Sequence, residues 1–170
     1  RLGALFLEIG DLVRARSAFA DAVARARETG RQFDVFGMHA RASAGVVRFA
    51  QGDWDDALAL LDVAREHPPE VARAVLLSTA ALGRAGRGDR AVLDEARALR
   101  PDWEREGRIA LHFTLACLDV YEFTGEYEQA LDVTEESLAV IAKIWTDPWP
   151  LALTQMSAQL IACLCVASTS

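Results

Sequence analysis

Gly52-Asp53-Trp54-Asp55-Asp56-Ala57-Leu58 reads as a tight turn between two helices, and versions of it recur along the chain. Glycine ends a helix by taking a positive φ without a Cβ penalty, and the small alanine that follows lets the next helix pack closely. Gly10 is followed five residues later by Ala15, Gly52 by Ala57, Gly86 by Ala91 and Gly125 by Ala130. Asp11, Asp53 and Glu126 directly follow their glycines. The intervals between these glycines are 42, 34 and 39 residues, in the range of helical-hairpin repeats.

Working outward from the turn, apolar residues at helical spacing predict helices over residues 2–9, 12–29, 33–51, 54–66, 70–85, 90–99, 101–124, 127–144 and 151–166. In 33–51 the packing face falls near Phe36, Ala40, Val47 and Ala50. Pro68-Pro69 stops the fourth helix, and Pro101 fits the first position of the seventh, with Asp102 and Glu104 in its first turn. The three glycines between Gly83 and Gly88 predict the loosest turn. The expected fold is all-α, about nine helices in antiparallel pairs. One domain spans 1–170, with units of roughly 1–30, 32–67, 69–100 and 101–145 and a final helix over 148–167. Each hairpin buries one face only against its neighbours, so the stack is the folding unit.

The 170-residue chain is 52% hydrophobic and 25% charged, an ordinary composition for a core-forming protein. A net charge of −7 argues against a grip on a phosphate backbone, so no nucleic acid contact is expected of this segment. Cys117, Cys163 and Cys165 are odd in number and lack CxxC spacing, as expected of buried thiols in a reducing compartment. With no signal peptide and no apolar run that makes a comfortable span, the expected location is the cytoplasm, away from membranes. A start without Met, inside a periodic segment, suggests a piece of a longer protein.

These residues resemble the tetratricopeptide repeat. Gly45, Gly52, Trp54, Ala57, Leu61, Ala64 and Pro69 fall in step with its pattern, and Gly3, Gly10, Ala15, Phe19 and Ala22 repeat the seven-residue glycine spacing. Tyr121, Gly125, Tyr127 and Ala130 form a further unit, with Leu118 in place of the early glycine. The third unit departs most, with Gly88 at the turn aromatic and Glu95 at an apolar position. The resemblance implies a right-handed α-α superhelix. Its irregular spacing is similar to the arrays of large ATP-binding LuxR-type, maltose-regulator-like bacterial transcriptional regulators. In that group the array lies between a nucleotide-binding module and a helix-turn-helix, and serves sensing or partner contact. The other reading is a free-standing scaffold that holds a partner peptide.

The repeat register further implies a concave groove lined by His39, Phe49 and Arg73, then by His112, Asp119 and Glu122, with Val46, Leu76 and Leu115 beside them. Such a face suits a protein, a peptide or a small-molecule effector. The apolar end formed by Trp145, Trp149, Leu153, Met156, Leu160 and Leu164 calls for a cover, either downstream chain or a second copy in a homodimer. No catalytic, cofactor or metal site is expected. The single lysine, Lys143, is not preceded by glycine, which excludes a P-loop, and no H-E-x-x-H, zinc spacing or G-x-S-x-G occurs. Arg87-Gly88-Asp89 is read as turn composition, and the run Glu126, Glu128, Asp132, Glu135, Glu136 as a solvated face.

Overall fold

The computed structural model describes residues 2–144. Residues 148–167, Cys163 and Cys165, and the apolar end Trp145, Trp149, Leu153, Met156, Leu160 and Leu164 lie outside the described residues. Among the described residues the fold is all-helical: α1 (Leu2–Glu8), α2 (Leu12–Glu28), α3 (Val35–Ala50), α4 (Trp54–Leu61), α5 (Glu70–Ala85), α6 (Ala91–Ala98), a 3-10 turn (Arg100–Asp102), α7 (Gly107–Thr124) and α8 (Tyr127–Ile144). That is eight α-helices and no strand. None of these helices is long and apolar enough to cross a membrane. The chain falls into two compact units, the first ending at Gly83 and the second starting at Arg84, in the last turn of α5.

One turn geometry recurs at five places. Gly10, Gly30, Gly52, Gly88 and Gly125 all take φ between 67° and 85°. After each, the next residue's N–H reaches back to the carbonyl five residues earlier. Asp11 donates to Phe6, Arg31 to Ala26, Asp53 to Arg48, Asp89 to Arg84 and Glu126 to Tyr121, at 2.7–3.1 Å. This is the Schellman closure, which satisfies carbonyls the helix end would leave open. It corrects the third turn: the left-handed residue is Gly88, whose N–H bonds the Ala85 carbonyl at 2.8 Å, and not Gly86. The helix-to-helix glycines then stand 42, 36 and 37 residues apart, a more regular interval than the sequence suggested.

In the first unit, α1–α2 and α3–α4 are two copies of one hairpin. A Cβ on Gly3 would meet the Phe19 ring at 3.0 Å, and one on Gly45 would meet Leu61 Cδ1 at 2.7 Å. In both hairpins the glycine lies seven residues before the turn glycine, and the contact comes from the residue sixteen positions after it. Ala15 and Ala57, five residues after the turn, are fully buried. Small residues therefore set how closely the paired helices approach. Between hairpins, Ala44 and Val47 of α3 join Ala15, Phe19 and Val23 of α2 in one core cluster. The expected packing face is corrected in part: Val47 is fully buried, but Phe36 is 78% exposed and Ala50 exposed, and α3 also buries Gly37, Met38 and Arg41 to Gly45.

Two helices are shorter than their apolar period implies. α4 ends at Leu61, not near residue 66, and Asp62 turns extended. The cause is Arg41 on α3, only 2% exposed. Its Nε donates to the Leu60 carbonyl at 2.6 Å and its Nη2 to the Asp62 carbonyl at 2.9 Å, while both terminal nitrogens hold the Glu66 carboxylate. A buried guanidinium requires acceptors, and the open end of α4 supplies them. Likewise the helix expected from Pro101 begins instead at Gly107, behind a cap in which the Glu106 carboxylate accepts from the Arg108 N–H. Residues 100–102 form a separate 3-10 turn that buries Trp103 to 1% exposure. Burying an indole of that size outweighs a few more helical hydrogen bonds.

Candidate functional site

The candidate groove divides between the two units. His39 and Phe49 lie on α3 and Arg73 on α5, whereas His112, Asp119 and Glu122 all lie on α7. Phe49 does not face an open channel. Its ring meets Trp54 edge-on, with centroids 6.3 Å apart, and sits so close to Gly83 that a Cβ there would collide with it. His39 is half-buried, and Arg73 is exposed.

In the second unit α7 is buried on every side from Ile109 to Leu118. His112 is 4% exposed and Leu115 5%, so this stretch is core and not groove lining. Leu76 of α5, expected beside Arg73, is fully buried as well. Exposure returns only toward the end of α7, with Asp119 half-buried, Glu122 exposed and Phe123 73% exposed. Of the expected groove residues, Arg73, Asp119 and Glu122 thus keep exposed surface, each within its own unit, whereas His112 is packed into the core. Among the described residues no cluster of His, Cys, Asp and Glu is placed to hold a metal ion.

Two clefts lie elsewhere, and none of the six groove residues lines them. A cleft of about 450 Å³ runs along α2 to the start of α3, with Ala18, Ala22 and Ala26 in its floor and Arg25, Arg31 and Asp34 in its walls. Asp34 is engaged there: its carboxylate accepts the Gly37 N–H at 2.8 Å and pairs with Arg31, which holds its pKa below the usual value.

The second cleft, of about 210 Å³, lies among α6, α7 and α8. The Arg100 guanidinium covers the Trp103 ring at 4.5 Å from its centroid and pairs with Glu136. Cys117 and Tyr121 complete the wall. Burial pushes the Cys117 thiol up to about 12, against a smaller opposing pull from Arg97, so almost none of it is thiolate at neutral pH. Such a thiol packs and does not attack. The sequence reading missed this cleft because Trp103 sat within an expected helical first turn, where an indole looks incidental.

The acid after four of the five turn glycines (Asp11, Asp53, Asp89 and Glu126) is the other shared feature. Asp11 is lowered mainly by the Arg14 backbone N–H, Asp89 by the Arg84 side chain, and Glu126 by the Arg90 side chain. Two pairs reach from one hairpin to the turn of the next: Arg16 on α2 to Asp53, and Arg90 at the start of α6 to Glu126. Arg84 also grips Glu95 with one nitrogen at 2.7 and 2.8 Å to its two oxygens, which explains a carboxylate where the repeat pattern expects an apolar residue. Likewise Glu126 and Glu136 of the expected solvated run are engaged in ion pairs. Comparison with family models, with curated proteins and with solved structures finds no match.

Proposed function

We propose that this chain is a non-catalytic interaction or ligand-sensing module, built as a tetratricopeptide-like right-handed superhelix. Its setting is the array of a LuxR-type, maltose-regulator-like bacterial transcriptional regulator. The observation that carries the reading is the recurrence of one turn geometry at 42-, 36- and 37-residue intervals, with inter-hairpin Arg–acid pairs at Asp53 and Glu126. A chain organised by a repeating structural unit devotes its sequence to presenting surface, which is the economy of repeat proteins. In the proposed role, effector or partner contacts on one unit, at Asp119 and Glu122 of α7, bias the parent protein between inactive and active states.

Peptide mapping of the intact endogenous polypeptide tests the setting. A nucleotide-binding P-loop peptide on the N-terminal side and a helix-turn-helix peptide on the C-terminal side would support it. A polypeptide holding neither would overturn it in favour of the free-standing scaffold.

A further inference from the structure

The two copies of the hairpin in the first unit differ in one face. Position by position, Leu2 and Leu5 of α1 correspond to Ala44 and Val47 of α3, with Gly3 matching Gly45 and Gly10 matching Gly52. Ala44 and Val47 are 1% and 0% exposed, because α2 covers them with Ala15, Phe19 and Val23. Leu2 and Leu5 are 60% and 56% exposed, and Ile9 and Val13 extend the apolar surface at 70% and 76%. The opposite side of α1 is satisfied, since Ala4, Phe6 and Leu7 pack against the same cluster as α2. One copy of the interface is thus complete, and the other presents its receiving half to solvent.

The polar contact repeats the pattern. Where α2 meets the second turn, Arg16 pairs with Asp53 and also donates to the Gln51 side chain. The counterpart of Asp53 is Asp11, whose carboxylate accepts the Arg14 backbone N–H and pairs with the Arg14 side chain, a neighbour on its own helix that is 62% exposed. An exposed i,i+3 pair of this kind contributes little and exchanges readily. Ile9 stands where Gln51 does, so the stem of an incoming arginine meets an apolar surface there.

We propose that the Leu2–Leu5–Ile9 face is the docking surface for an amphipathic partner helix of α2's own chemistry. The partner carries a small residue followed directly by arginine, then an aromatic and a β-branched residue at four-residue steps, as in Ala15-Arg16, Phe19 and Val23. Its apolar seam covers Leu2 and Leu5 as α2 covers Ala44 and Val47, and its arginine takes Asp11 from Arg14. A second copy of the chain does not fit the role, because its α2 is already buried against its own α3. The inference goes beyond the regulator setting and rests on the repeated hairpin alone.

The probe is a labelled peptide of residues 12–28, titrated into the 170-residue chain and read by fluorescence anisotropy. Saturable binding is expected, weakened about tenfold or more by Leu5→Asp or Leu2→Asp and about threefold by Asp11→Asn. Far-ultraviolet circular dichroism checks that each variant stays helical, and the two leucine variants serve as substitutes should one unfold. Three results would overturn the proposal. They are no binding by the folded chain, binding indifferent to both leucine variants (exchange with the chain's own α2), or a leucine-dependent homodimer in sedimentation that takes the face instead.

Discussion

The hairpins α1–α2 and α3–α4 share a turn, a glycine seated on a bulky side chain and a buried alanine, yet their second helices run 17 and 8 residues. The shared features are local. The positive φ of Gly10 and Gly52 and the carbonyls that Asp11 and Asp53 close follow from residues within one turn of the chain. The difference is tertiary. α2 runs on to its glycine turn at Gly30, whereas Arg41 of α3 claims the Leu60 and Asp62 carbonyls and ends α4. Turn geometry is thus written beside the turn, and the length of α4 is decided by a side chain about half a repeat away.

Replacing Arg41 breaks that asymmetry and carries the largest expected effect. Arg41→Ala leaves two carbonyls and the Glu66 carboxylate without their donor, for an expected loss of about 3 kcal/mol in denaturant unfolding. Arg41→Met fills the volume but donates nothing. It should lose less and allow the backbone after Leu61 to regain helical hydrogen bonds, visible as slowed amide exchange at residues 62–66.

The glycines come next. Gly52→Ala and Gly10→Ala each force a left-handed residue to carry a Cβ, and each should cost about 1–2 kcal/mol, nearly the same in the two hairpins. A large inequality between them in thermal unfolding would show that the turns are not equivalent.

A pH titration sharpens the comparison of the turn acids. Asp11, Asp89 and Glu126 are held below their ordinary values when folded, so their contribution to stability is present above pH 4–5. It is lost as the pH falls through the lowered folded values and the carboxylates are protonated. Melting temperature should therefore decline on acidification below about pH 4, and Asp89→Asn should flatten that decline. The smallest effect on stability belongs to Cys117. Alkylation at pH 8, read on the Cys117 peptide alone, should run at least about a hundredfold slower in the folded chain than in denaturant.

Much of this fold is legible in the sequence. The bounds of α5 and the start of α8 coincide with the helices predicted over 70–85 and from 127, because strong periodicity there meets a clean proline or glycine boundary. What escapes is whatever depends on a distant partner. Arg41 looks like a surface residue until Leu60, Asp62 and Glu66 surround it, and Trp103 looks like a helix residue until the 3-10 turn buries it. The groove suffers likewise. Register places His112 on a face, but α7 is covered on every face along Ile109 to Leu118, and burial all round has no period to read. Gly88 was hidden by Gly86, since a glycine-rich turn leaves open which glycine turns left-handed.

The equivalence of the two hairpins is the claim on which the rest stands, and a pair of double-mutant cycles tests it most directly. Gly45→Ala presses a methyl against Leu61 at 2.7 Å and should cost about 1–3 kcal/mol; Gly3→Ala, at 3.0 Å from Phe19, should cost less. Trimming the opposing side chain, Leu61→Val or Phe19→Leu, should relieve part of that cost in each case, giving coupling energies of the same sign, about 0.5–3 kcal/mol in size. Coupling of that kind in both cycles is the result a repeated hairpin requires. Additive energies in either cycle would mean that the glycine does not seat its partner there, and that the two hairpins are not copies of one unit.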